Sequence, residues 1–455
     1  MRERTGLQPS RRVLPNGVTV LAKANHTTPQ LSLLIGVKAG AYADPPDREG
    51  TAALVARVLD RGTITRSADV IADDLDGRGA SLSVVAGRHQ MALSATCLTE
   101  DFTAVLDLAA DVVRHPAFPD AEVATRRVDL ITSIRQQEDN PATEAVDTFA
   151  RALYGDHPYA RKVRGTVASV ERLKRSDLVA FHEAWFALTD LTVVVVGDID
   201  ETAALDSVAR AFQGSIEAKV TGDRSSVGEA AAGQALTAEV PEPPKAHERK
   251  LVSVPMMDKA QTDIAYGFVG IRRSDPDFTA VSLMNNALGQ YALGGRLGDS
   301  IRERQGMAYY VFSSLEAGLG PGPLMIRAGV SAENVERTIA SIDEELTSIR
   351  RDGFTPKEID DSKRYLIGSL PRQLETNAAI ATFLLGTETY NLGLDYDVRL
   401  PDLLNAVTLD HANLAARRLL DAARATIAVA GPWTSEASPQ LPEEKRVGSA
   451  SLGAV

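Results

Sequence analysis

Metal-assisted hydrolysis needs ligands at fixed spacing, and the chain carries seven histidines, His26, His89, His115, His157, His182, His247 and His411. No two stand four positions apart on one predicted helix, so the paired imidazoles of a helical zinc site are missing. His182 with Glu183 in FHEAW comes nearest, and an isolated histidine of this kind reads as a surface or helix-packing residue. Cys97 is the single cysteine, which excludes an internal disulfide and a cysteine metal cluster. A phosphate loop and a G-x-S-x-G nucleophile turn are likewise absent. A segment with a readable local pattern is GGRLGDSIRERQGMAYYVFSS, from Gly294 to Ser314. Arg296 to Arg304 has helical spacing, Gly306 suits the position past a helix end, and Ala308 to Ser313 is strand-like. Arg302 before the turn and Tyr309 after it could converge on one spot. Taken alone, the pair also fits a surface arginine bridging Glu303 or Asp299 and a half-buried tyrosine.

The elements that must position these residues repeat along the chain. FPDAEVATRRVDLITSI from Phe118 answers FTPKEIDDSKRYLIGSL from Phe354, an offset of 354 − 118 = 236. LKRSDLVAFHEAWF answers VTLDHANLAARRLL, and the closing strands LTVVVVGD and ATIAVAGP align Gly197 with Gly431. Within each half the hydrophobic period switches between 2 and 3.6. Strand-like LSLLIGVKAGAY and SLSVVAGRHQMALSATC mix with helical TAALVARVLDRG, DFTAVLDLAADVVRHP and AEVATRRVDLITSIRQQ. This mixture predicts an α+β fold of two homologous half-chain domains, each a mostly antiparallel sheet with helices on one side, facing each other across a cavity. The expected boundaries are 12–213 and 249–433, with a Gly, Ala, Ser and Pro-rich linker at 214–248 and a disordered tail at 434–455.

With 455 residues and 44% hydrophobic content, the chain is long enough for two or three cores. Its net charge of −12 argues against nucleic-acid or anionic-membrane partners. No apolar run approaches the ~20 residues of a spanning helix, and no export signal follows MRERTGLQPS. The protein reads as soluble, and as cytoplasmic unless a leader has been removed, in which case periplasmic.

Residues Gly50 to Thr63, GTAALVARVLDRGT, make the pattern specific. The segment resembles the G-x-x-H-x-x-E-H motif, followed by G-T, of the insulinase, pitrilysin and processing-peptidase family. The flanks match, whereas the three catalytic positions hold Ala53, Ala56 and Arg57. Alanine neither binds zinc nor polarises water, and a guanidinium repels a dication. The family's third ligand, a glutamate in a later helix, corresponds to Ser133 or its neighbour Thr132. Glu138 and Asp139 follow a turn later, but three empty ligand positions give no reason to move a ligand onto them. HPYARKVRGT, from His157 to Thr166, is similar to the family's H-P-Y-G-x-P-x-x-G, with Ala160 in place of glycine, and TVVVVGDID is similar to its closing strand. The Gly294 to Ser314 segment is similar to the family's S-R-L-F-x-x-I-R-E-x-x-G-L-A-Y-S-V, with Gly295 and Gly298 departing from Ser and Phe.

The resemblance covers roughly residues 12 to 432. It implies the non-catalytic subunit of a two-part zinc peptidase, inactive alone, with no cofactor of its own and zinc in the partner. The implied partners are a homologous zinc-bearing subunit and an unfolded peptide. Arg302 and Tyr309 then grip a substrate carbonyl and stabilise the developing oxyanion. AGLGPGP, from Ala317 to Pro323, is the nearest counterpart of a glycine-rich substrate loop and is short, favouring general peptide degradation over presequence recognition. A structural or peptide-binding homologue without catalysis is the alternative.

Overall fold

The computed structural model describes residues 6–186, 191–213, 240–244, 247–290 and 295–434. The linker expected at 214–248 lies largely, and the tail expected at 434–455 almost wholly, outside them. Among the described residues eleven strands form two sheets. The first contains β1 (Ser10–Val13), β2 (Thr19–Ala24), β3 (Gln30–Val37), β4 (Ser81–Ala86), β5 (Met91–Leu98) and β6 (Leu191–Gly197), in the order β1-β2-β6-β3-β5-β4. The second contains β7 (Lys250–Pro255), β8 (Thr262–Val269), β9 (Ala308–Leu315), β10 (Pro323–Val330) and β11 (Thr426–Gly431), in the order β7-β11-β8-β10-β9. Removing β1 makes the connectivities identical, down to one parallel pair in each sheet, β2 with β6 and β7 with β11. The α+β architecture anticipated from the sequence is therefore the observed one.

The repeats land on equivalent elements. Phe118 and Phe354, both buried, precede the helices Asp120–Glu138 and Pro356–Gln373. Gly197 and Gly431 end β6 and β11 with the same φ of 144°. A Cβ at Gly197 would stand 2.1 Å from the Gln30 carbonyl oxygen, and one at Gly431 would stand 2.6 Å from Thr262 Cα. Only glycine fits where β6 approaches β3, and β11 approaches β8, so closely.

Each sheet carries the helices of its own half on one face. Alternate residues of β3, β5 and β6, among them Ile35, Leu93 and Val195, pack there with Val55, Leu106, Leu130 and Phe181. Ile264, Ile326 and Ile427 pack with Ile342, Ile349 and Leu346 in the second half. The opposite faces are covered by an exchange. Helix Pro141–Tyr154 from the first half lays Ala145, Phe149 and Leu153 against Ala265, Met325, Ala428 and Ala430 of the second sheet. Helix Asn377–Thr389 from the second half lays Ile380, Ala381, Leu384 and Leu385 against Leu21, Leu34, Val194 and Val196 of the first. The two helices occupy the same place in the repeat (377 − 141 = 236), so the exchange is reciprocal.

Candidate functional site

Helix Thr51–Val58 begins at Gly50, where φ is 91° and an added Cβ would stand only 2.6 Å from the Arg164 carbonyl oxygen, so the position admits only glycine. Asp44 caps the helix, accepting from Gly50 N at 2.7 Å and Ala52 N at 2.8 Å. The helix is buried almost all round. Ala53 and Ala56, at 8% and 5% exposure, belong to the first-half core, and only Arg57 among the three degenerate positions is half-exposed. Helix Asp120–Glu138 packs against it. On that helix Ser133 is half-buried and Thr132 exposed, so Ser133 is the position turned towards the packed side. Glu138 and Asp139 are committed elsewhere: Lys162 Nζ lies 3.6 Å from Glu138 Oε1, and Lys259 Nζ donates to Asp139 Oδ1 at 2.7 Å. Among the described residues no group of three or more His, Cys, Asp or Glu is arranged to hold a metal ion.

The HPYARKVRGT segment runs alongside. A Cβ at Gly165 would meet the Glu49 carbonyl oxygen at 2.3 Å, which locks this segment to the start of the degenerate-motif helix. His157 Nδ1 accepts from Tyr159 N at 3.1 Å, and its Nε2 donates to the Pro241 carbonyl at 2.9 Å. The Tyr159 hydroxyl pairs with His89 Nε2 at 2.7 Å and accepts from Gly320 N at 2.8 Å. Tyr154 donates to the Pro321 carbonyl at 3.0 Å. The short AGLGPGP loop is thus pinned to the first half. Burial, helped by the charge of Arg88, pulls the His89 pKa down to about 4, and burial pushes Tyr159 up to about 12. His182, the nearest thing to a ligand in the sequence, is a packing residue. Its Nε2 donates to the Val113 carbonyl at 2.8 Å and its ring lies 4.5 Å from that of Phe186.

In the second half Arg296 is structural. Its Nε and Nη2 bind both oxygens of Glu358 at 2.7 and 2.9 Å, while Glu358 also caps helix Pro356–Gln373 through Thr355. Arg302 lies in the helical turn Gly298–Arg304, and its Nε donates to Glu303 Oε1 at 3.0 Å. Tyr309 follows on β9. There β9 pairs Ala308 with Val330 and Tyr310 with Gly329, so Tyr309 is the extra residue of a β-bulge. The bulge turns Tyr309 outward, at 68% exposure, whereas the Tyr310 hydroxyl is held by the Asp263 carboxylate. Only Tyr309 of the two tyrosines is left facing solvent.

Between the halves lies a cavity of about 490 Å³, walled by Arg88, His89, Phe149 and Arg164 from the first and by Met325 and Arg327 from the second. Arg302 and Tyr309 stand outside its lining. In the sequence the HPYARKVRGT segment stands out for its family pattern, and nothing there marks its cations, Arg161, Lys162 and Arg164, as facing this space. Their density within four residues was the one available signal.

Residues 19–167 match the family model described as insulinase (peptidase family M16), and residues 172–366 match the one described as peptidase M16 inactive domain. The chain belongs to peptidase family M16. Its M16 relatives include an uncharacterized zinc protease of Bacillus subtilis, YmxG, 27% identical over 424 residues, covering 92% of this chain and 98% of that one. Another is an uncharacterized zinc protease of Mycobacterium tuberculosis, 28% identical over 446 residues, covering 97% and 96%. The crystal structure of a peptidase M16 inactive domain from Pseudomonas fluorescens superposes with a TM-score of 0.82 at 28% identity, covering 96% of this chain and all of that one. A protease from Helicobacter pylori shares the fold alone, with a TM-score of 0.82 at 15% identity and coverage of 93% and 100%. The match to the M16 inactive-domain model and the likeness to the Pseudomonas fluorescens structure support a catalytically inactive M16 member. Among the described residues no helix is long and apolar enough to cross a membrane.

Proposed function

We propose that this chain is the non-catalytic subunit of a two-subunit M16 peptidase that encloses and degrades unfolded peptides. Two homologous units, 12–213 and 249–433, joined by the 214–248 linker, form its half of the chamber. A homologous zinc-bearing subunit, of the kind named zinc protease among the relatives, supplies metal and water. Arg302 and Tyr309 supply substrate contacts and stabilise the oxyanion of the tetrahedral intermediate. The observation that carries this reading is the β-bulge that leaves Tyr309 turned into solvent, shortly after the turn bearing Arg302, in a chain whose zinc positions are empty of ligands. β9 is also a sheet edge, so a peptide laid along it as an added strand would pass Tyr309.

The test is co-expression with a zinc-bearing homologue and assay of a quenched peptide. The complex turns over, and Arg302→Ala lowers kcat by about ten-fold to a thousand-fold with assembly intact. Unchanged turnover in an active Arg302→Ala complex removes the assigned role. The second reading, a structural or peptide-binding homologue, draws on the Glu303 pairing that occupies Arg302 here. It is separated by size-exclusion chromatography with and without the candidate partner, because a scaffold assembles without accelerating cleavage.

A further inference from the structure

The cations around the cavity differ in how they are used. Lys162 sits 3.0 Å from Asp147 and within 3.9 Å of Glu144. Arg88 donates to the Tyr159 and Arg161 carbonyls at 3.3 and 3.4 Å and lies over the Tyr159 ring. Arg161 reaches the Asp44 carbonyl at 3.5 Å and Glu49 at 3.9 Å, and Arg327 stacks on Phe312. Arg164 is the exception. Its side chain lines the cavity, its Nη1 is shielded from solvent, and that nitrogen has no acceptor among the described residues. A buried guanidinium N–H without an acceptor is costly. A second guanidinium, that of Arg57, lies close enough to act on it: burial lowers the Arg164 pKa, Asp147 opposes the shift, and the charge of Arg57 adds to it. Two like charges are therefore held near one another, although Arg57 does not itself line the cavity.

We propose that Arg164, backed by Arg57, is a carboxylate-binding site, and that it takes the free C-terminal carboxylate of a peptide whose last side chain is apolar. A guanidinium fork matches a carboxylate in shape and charge. Ile134, Val146, Phe149 and Met325 give the same cavity an apolar wall for the terminal side chain, and a cavity of about 490 Å³ has room for both.

The experiment uses the full chain alone and so stands apart from the partner-dependent assay of Arg302. Binding of a fluorescent pentapeptide ending in Phe is followed by anisotropy, as the free acid and as the C-terminal amide. The acid binds at least about ten-fold more tightly, the worth of one charge-assisted hydrogen bond. Arg164→Gln abolishes that preference, and Arg57→Ala reduces it. Circular dichroism melts show that both variants are folded. Equal affinities of acid and amide for the wild-type chain overturn the proposal, as does an acid preference that persists in folded Arg164→Gln. If inorganic phosphate competes with the peptide and acid and amide still bind alike, the cavity holds small anions only and the peptide assignment fails.

Discussion

Substituting Phe149 by alanine tests the helix exchange, because it removes a side chain encoded in the first half from a core that belongs to the second sheet. Phe149 is 1% exposed and packs against Ala265, Met325, Ala428 and Ala430. Three of those four partners are alanines on paired strands, with Ala265 directly opposite Ala428. Short side chains on a hydrogen-bonded sheet have little freedom to relax into the space left by a ring. The cost therefore falls towards the upper part of the ~3–5 kcal/mol typical of buried Phe→Ala changes. At about 1.4 kcal/mol per decade, amide exchange from the affected cooperative unit accelerates by roughly three orders of magnitude. Hydrogen-exchange mass spectrometry reads this strand by strand. Peptides covering β8 and β11 lose protection together with helix Pro141–Tyr154, although the substitution lies more than a hundred residues earlier in sequence. Acceleration confined to β1–β6, with β8 and β11 at wild-type protection, would show that the exchanged helix does not support the second sheet. Leu384→Ala, 1% exposed on the reciprocal helix, gives the mirror result in β3 and β6 at ~2–5 kcal/mol.

Acid sensitivity follows from His182, whose pKa is drawn down to about 4 chiefly by burial. The unfolded chain takes up this proton below its ordinary value near 6.5 and the folded one does not. The stabilising contribution is thus intact above pH ~6.5 and lost as pH falls towards 4, by up to about 3 kcal/mol. His182→Phe flattens that limb of the pH–melting curve, and an unchanged slope between pH 6.5 and 4 refutes the assignment. Restoring ligands through Ala53→His, Ala56→Glu, Arg57→His and Ser133→Glu gives a chain that retains one zinc on metal analysis. Moving the last carboxylate to the exposed Thr132 does not, and equal zinc retention by both versions would count against Ser133 as the inward position.

Much of the fold was legible because periodicity and repetition are properties of the chain itself. The Phe118 and Phe354 segments and the paired strand-end glycines announce equivalent helices and strands before any contact is known. The helix exchange was not legible. The pattern of Ala145, Phe149 and Leu153 says that one face is buried, and is silent on which sheet buries it. At the candidate site, residue types alone marked Ala53, Ala56 and Arg57 as unable to bind zinc. That Ser133 is more buried than Thr132, and that Tyr309 rather than Tyr310 faces solvent, needed burial and strand register, because one residue of shift in a helix or a bulge in a strand changes which side chain faces where. That Arg164 Nη1 has no acceptor among the described residues lay beyond sequence, since it depends on where the neighbouring hydrogen bonds are spent.

The reciprocal helices also set a schedule for synthesis. When β6 leaves the ribosome the first sheet is complete in its strands, yet Leu21, Leu34, Val194 and Val196 stay uncovered until residues 377–389 are made. At ~5–20 residues per second that interval is roughly ten to forty seconds. For that time the nascent chain displays a greasy β-surface to its surroundings, and the first half reaches its final form only after the second is largely made.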